Sequence, residues 1–101
     1  MTLHLHRDRE PDLVVDSAVL VAEVSSKQAA ATRWTELRLW RSGAGQFVAE
    51  QVGRSTLEGE VDRCRAWVCA DATAVVAKLK HGWLARQIYA KAGIDDAEQV
   101  R

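Results

Sequence analysis

The stretch WTELRLWRSGAGQFVAEQV, residues 34–52, reads as two extended runs joined by a glycine-bearing turn. In the first run Leu37 and Leu39 alternate with Trp34, Glu36, Arg38 and Trp40. Successive side chains of a strand leave on opposite faces, so the leucines share one face and the tryptophans share the other with their charged neighbours. Ser42-Gly43-Ala44-Gly45 can supply the positive backbone angles of a tight reversal, and residues 46–52 resume a β-branched and aromatic pattern. The pattern predicts a β-hairpin.

Upstream, residues 13–24, LVVDSAVLVAEV, favour a strand by their β-branched content, with an interruption at Asp16-Ser17. Val19, Val21 and Glu23 fall on one face and Leu20, Ala22 and Val24 on the other, and the two sets differ too little in polarity to fix a register. Leu3 and Leu5 alternate with His4 and His6 and suggest an edge strand or a frayed segment over residues 1–11, ended by Glu10-Pro11-Asp12. Residues 25–32 read as a loop. Downstream, residues 53–60 are bounded by glycines, lack periodicity and read as a surface loop of functional length. Residues 62–69 alternate again, with Cys64, Ala66 and Val68 on one side and Arg63, Arg65, Trp67 and Cys69 on the other.

Asp71 is placed to cap a helix in which Val75, Val76 and Leu79 fall at helical spacing. Gly82 separates it from a second helix with the stripe Trp83, Leu84, Ile88, Tyr89, ended at Gly93. Residues 95–98 have the spacing of a capping box. The expected fold is a single α+β domain over residues 1–101, an antiparallel β-meander of three to four strands with the C-terminal helices packed on one face. In that arrangement Leu37 and Leu39 lie under the helices.

Of the 101 residues 48% are apolar, which excludes wholesale disorder, and no run approaches the roughly 20 apolar residues of a membrane span. The N-terminal residues lack the apolar centre of a secretory signal, so a soluble, cytoplasmic protein is expected. Lys plus Arg equals Asp plus Glu at 14 each, a balance that favours neither a phosphate-backbone binder nor an acidic mimic of nucleic acid. Cys64 and Cys69, the only cysteines, would face opposite sides of a strand and read as small apolar residues without a disulfide.

The candidate site is the sheet face opposite the leucines. Trp34, Trp40 and Trp67 with Glu36, Arg38, Arg63 and Arg65 have the composition of a protein-binding surface, and Arg54 belongs to its rim. The alternative is that the N-terminal residues or a dimer mate cover this face, making the tryptophans core. The same aromatic and arginine set can stack nucleobases, a reading ranked below protein binding because charge is balanced and no RNA-binding signature is present. His4, His6 and His81 make a poor metal site, since two lie at a chain end. Ser55 and Thr56 have no histidine near in sequence, and Gly43-Ala44-Gly45 is too short to cradle a phosphate. No catalytic residue and no cofactor is expected.

The segments Leu37-Arg38-Leu39-Trp40-Arg41, Gly45-Gln46-Phe47-Val48, Gly53-Arg54-Ser55, Gly59-Glu60-Val61-Asp62-Arg63 and His81-Gly82-Trp83-Leu84-Ala85 resemble small accessory proteins of bacterial phages and integrative mobile elements. In those the first strand commonly reads Leu-Tyr-Arg, and Trp40 stands here in the tyrosine place. The resemblance omits residues 1–31 and brings no catalytic residues to carry over. It implies a factor that binds a host or mobile-element protein, in a class that includes anti-CRISPR inhibitors of host defence. Homodimerisation through the same face is a further alternative.

Overall fold

The computed structural model describes residues 1–97, so the capping-box spacing of residues 95–98 ends outside the described residues. The elements are β1 (Leu3–Leu5), β2 (Leu13–Val15), β3 (Val19–Ser25), β4 (Arg33–Arg41), β5 (Phe47–Ser55), β6 (Arg63–Cys69), α1 (Ala72–Leu79) and α2 (Trp83–Ala92). Strands β3 to β6 form a four-stranded antiparallel meander in chain order, and β1 and β2 pair as a separate two-stranded sheet. The class is α+β as the sequence pattern predicts, but the strands exceed three to four. The reason is local: Asp16-Ser17 does more than interrupt one strand. Ser17 adopts φ 51°, so the chain turns there and separates residues 13–15 from β3; the reversal over residues 6–12 pairs them with β1.

The central hairpin pairs Arg41 with Phe47 and continues in register to Arg33 opposite Ser55. Gly45, at φ 83°, supplies the positive angle of its turn. Gly43 is needed for a different reason, because a Cβ there would meet Ser17 Cβ at 2.9 Å. Its N–H donates to the Asp16 carbonyl at 3.0 Å, so two turns dock backbone to backbone at this point. Strand β5 runs on through Gly53, Arg54 and Ser55, three residues that the glycine-bounded pattern assigned to a loop. Gly53 is held by Thr35 on one side and Arg63 on the other, and pairing on both edges outweighs its poor strand propensity.

Strand β3 carries a bulge between Leu20 and Ala22, so Leu20 lies opposite Trp40 and Ala22 opposite Leu39. The extra residue lets Val21 and Ala22 both reach the helix side, which a strict alternation of Val19, Val21 and Glu23 does not allow.

Asp71 caps α1 by accepting the Ala74 N–H at 2.9 Å. That helix ends at Lys80, whose carbonyl accepts the Tyr89 hydroxyl at 2.6 Å and ties the two helices together. Gly93 closes α2 at φ 72°. α1 packs over β5 and β6, and α2 over β3 and β4. Between helices and sheet lie Leu37, Leu39, Ala49, Cys69, Val75, Leu79, Ile88 and Tyr89, all buried. Each large aliphatic side chain there contributes roughly 1.5–3 kcal/mol of gross stabilisation. Burial pushes the Tyr89 hydroxyl up to about 12, with the charge of Asp96 acting the same way. Trp83 departs from the expected helix stripe: it is 67% exposed, while Leu84, Ala85, Ile88 and Tyr89 turn inward.

Candidate protein-interaction face

The face opposite the helices carries Trp34, Glu36, Arg38 and Trp40 from β4, with Val48, Glu50, Val52 and Arg54 opposite them on β5. It is only half open. Leu5, Val15 and Ala18 of the N-terminal hairpin form a second buried cluster with Val48 and Ala66, and Trp40 and Leu13 pack against it. Trp40 is thus half-buried under the hairpin, with its indole N–H donating to Glu50 at 3.1 Å. Of the two readings of this face, cover by the N-terminal residues describes the Trp40 end.

Three residues of the candidate set lie elsewhere. Trp67 pairs with Ala49, which pairs with Leu39, so Trp67 is on the helix side and packs against the main core. Arg63 and Arg65 share that side, opposite Gly53 and Gln51. β6 alternates as its sequence predicts, but its phase relative to β4 is the opposite of the one expected. Phase depends on how residues 56–62 bring β6 back to β5, and a slip of one residue exchanges the faces.

The open half holds a line of alternating charge across the strands. The Arg38 guanidinium donates to Glu23 on β3 and, at 3.0 Å, to Glu36; a third contact reaches Glu50 at 3.8 Å. Glu36 also accepts from Arg54 at 3.2 Å, and Arg54 donates onward to Asp62 at 2.6 Å. The cross-strand register makes this possible, since Glu23 and Glu50 lie directly opposite Arg38 on its two neighbours. Partial burial opposes ionisation of Glu36, but hydrogen bonds from Trp34 and Arg54 and the charges of Arg54 and Arg38 outweigh it. Its carboxyl therefore sits below the ordinary carboxylate range. Trp34 closes the line: its indole N–H donates to Glu36 at 3.0 Å, and the Lys27 ammonium lies 4.5 Å from its ring centroid.

At the same end the loop of residues 56–62 is anchored by Glu60. Arg33 donates to both of its oxygens, at 2.9 and 2.7 Å, and the Ser55 hydroxyl donates at 2.6 Å. These bonds, that from Arg33 foremost, lower the Glu60 carboxyl to about 2. Arg33, Trp34, Arg54, Ser55, Glu60 and Arg63 line a shallow depression around this end of the sheet.

The remaining chemical groups do not converge. Cys64 and Cys69 are free thiols, and burial pushes both up. His6 lies 3.0 Å from Asp12 and 3.3 Å from Asp8, while His81 sits 3.0 Å from Asp96 beyond α2. Among the described residues no group of three His, Cys, Asp or Glu side chains is arranged to hold a metal ion. No helix among them is long and apolar enough to cross a membrane. The sequence offers cover of this face by the N-terminal residues as an alternative but not the turn at Ser17 that limits it to the Trp40 end, and it does not show the exposure of Trp83. Compared with known proteins, the chain matches no family model, no curated protein and no solved structure.

Proposed function

We propose that this chain is a non-enzymatic accessory factor that binds another protein through the open half of its outer sheet face. The observation that carries the reading is the hydrogen-bonded line Glu23, Arg38, Glu36, Arg54 and Asp62, bordered by Trp34. Its guanidinium groups are held in place before any partner arrives, so little side-chain entropy remains to be lost on docking. Mixed charge at fixed positions discriminates between partners through complementary and repulsive contacts. The loop of residues 56–62, fixed by Glu60, forms the rim. Arg65 and Trp67 take no part, Arg63 borders the rim beside Glu60, and Trp40 contributes by holding the face in shape. The sequence resemblance to phage and mobile-element proteins supports a partner among the host complexes that such elements encounter.

Affinity capture from a bacterial lysate tests the reading, with wild type beside Arg54→Glu and Trp83→Ala, each checked for folding by circular dichroism. A partner retained by wild type and Trp83→Ala but lost with Arg54→Glu supports it. Retention by Arg54→Glu with loss in Trp83→Ala would move the contact to the turn between the helices and overturn it.

A further inference from the structure

Two valines on the outer side of the molecule stay in water, Val14 at 57% and Val68 at 50% exposed. Each has a local cause. Side chains of β2 alternate, so when Leu13 and Val15 turn toward the outer cluster Val14 is left facing away. Val68 shares the outer side of β6 with Ala66, but the N-terminal hairpin is fastened elsewhere. Its tip is held at Cys64, whose carbonyl accepts the Asp8 N–H at 2.9 Å and whose N–H donates to the Asp8 carboxylate at 2.8 Å. Its base is held at Gly43, whose N–H donates to the Asp16 carbonyl at 3.0 Å. The far end of β6 lies beyond both fastenings. What remains there is a cleft of about 450 Å³ between β2, the turn joining β4 to β5, and Val68.

The lining of this cleft is amphipathic. Leu13, Val14, Val15, Val48 and Val68 supply apolar walls, while the place where the two turns dock contributes Asp16 with the hydroxyls of Ser17 and Ser42. Asp16 is the one charged residue lining it, and its carboxylate joins no ion pair among the described residues. Small-molecule sites have this volume and this make-up, apolar walls with a few polar groups that fix orientation. We propose that the cleft binds a small amphipathic cation, its aliphatic or aromatic body against Val14, Val48 and Val68 and its protonated amine at Asp16. The sign follows from the lining: an anionic head would face a like charge, and apolar walls on one side strengthen that preference over its value in open water. The cleft lies at the Arg41–Phe47 end of the central hairpin, whereas Arg33, Arg54 and Ser55 mark the opposite end. The site therefore stands whether or not the charged line binds a partner.

Titration of the full chain with hexylamine, hexanol and hexanoate, followed by amide chemical shifts at about pH 7, tests this on wild type, Asp16→Asn and Val68→Trp. Hexylamine is expected to bind wild type with a Kd of about 1 mM, shifting amides of residues 13–17, 42–48 and Val68. Hexanol should bind the same residues about threefold more weakly, and hexanoate more weakly still. Asp16→Asn should weaken hexylamine about threefold and leave hexanol unchanged. Val68→Trp fills the apolar end and should weaken both about tenfold at an unchanged circular dichroism spectrum. The proposal is overturned if hexylamine leaves these amides unmoved up to about 50 mM, if hexanoate binds as tightly as hexylamine, or if Asp16→Asn keeps the preference for the amine. Should Val68→Trp misfold, Asp16→Asn decides, because the Asp16 side chain is exposed and the bond to Gly43 is made by its backbone carbonyl.

Discussion

The helix-covered face and the outer face of the central sheet are made of alternate residues of the same strands, yet different forces hold them. Beneath the helices Leu37, Leu39, Ala49 and Cys69 share one apolar cluster with Val75, Leu79 and Ile88. On the outer face the apolar patch stops at Trp40, and charged pairs take over from Glu50 to Asp62. The two short helices of the described residues do not cover both faces of a four-stranded sheet. The N-terminal hairpin supplies partial cover, and the residual strip is kept in water by charge. Burial stabilises the first face, while the charged strip contributes fixed geometry with little net energy, since half-exposed ion pairs are worth about 0–1 kcal/mol each.

The contrast is open to direct attack. Leu39→Ala, at a fully buried position in the middle of the sheet, should cost about 3 kcal/mol in denaturant unfolding. A loss under about 1 kcal/mol would show that the helices do not hold this face. Trp40→Ala should cost less, about 2 kcal/mol, because the indole is only half-buried. Its effect should be local: amide exchange should quicken in β1 and β2 and stay unchanged in α1 and α2. Equal acceleration on both faces would deny the outer cluster its separate identity. Glu36→Gln should cost about 1 kcal/mol, removing the charge that Arg38 and Arg54 share. If the line is preorganised by Glu36, side-chain relaxation of Arg54 should speed up in this variant.

The smallest effect is read by pH. The Glu60 carboxyl is lowered to about 2 from the ordinary 4.5, chiefly by its hydrogen bond from Arg33. A lowered carboxylate stabilises the fold above its unfolded value, and that contribution fades as pH falls through its folded one. Amides of residues 56–62 should therefore lose protection between about pH 4.5 and about pH 2, with the Glu60 carboxyl resonance titrating in the same window. A titration of Glu60 near its ordinary value would mean that the anchor to Arg33 does not form in solution.

Much of the helix-covered face was legible in the sequence. Leu37 and Leu39 alternate cleanly, Asp71 stands where a cap belongs, and Gly82 and Gly93 punctuate the helices where the chain does turn. These are short-range signals, decided by residues within a turn or a strand of one another. The outer face was legible only as a composition. Trp34, Glu36, Arg38 and Trp40 were placed together correctly, but Trp67, Arg63 and Arg65 were assigned to them and lie on the other side. Trp83 looked like core by spacing, although α2 is rotated so that Leu84 and Ile88 face the sheet.

By itself the sequence determined where strands and helices run and which side chains travel together on each, because those patterns follow from backbone periodicity and local hydrogen bonding. Only the tertiary structure decided how the strands come into phase, and that the first 15 residues fold back over Trp40 while Asp8 bonds to Cys64 of β6. Phase and cover depend on contacts between residues as distant as Asp8 and Cys64. No local propensity records which of two equally well-patterned faces such a contact will close.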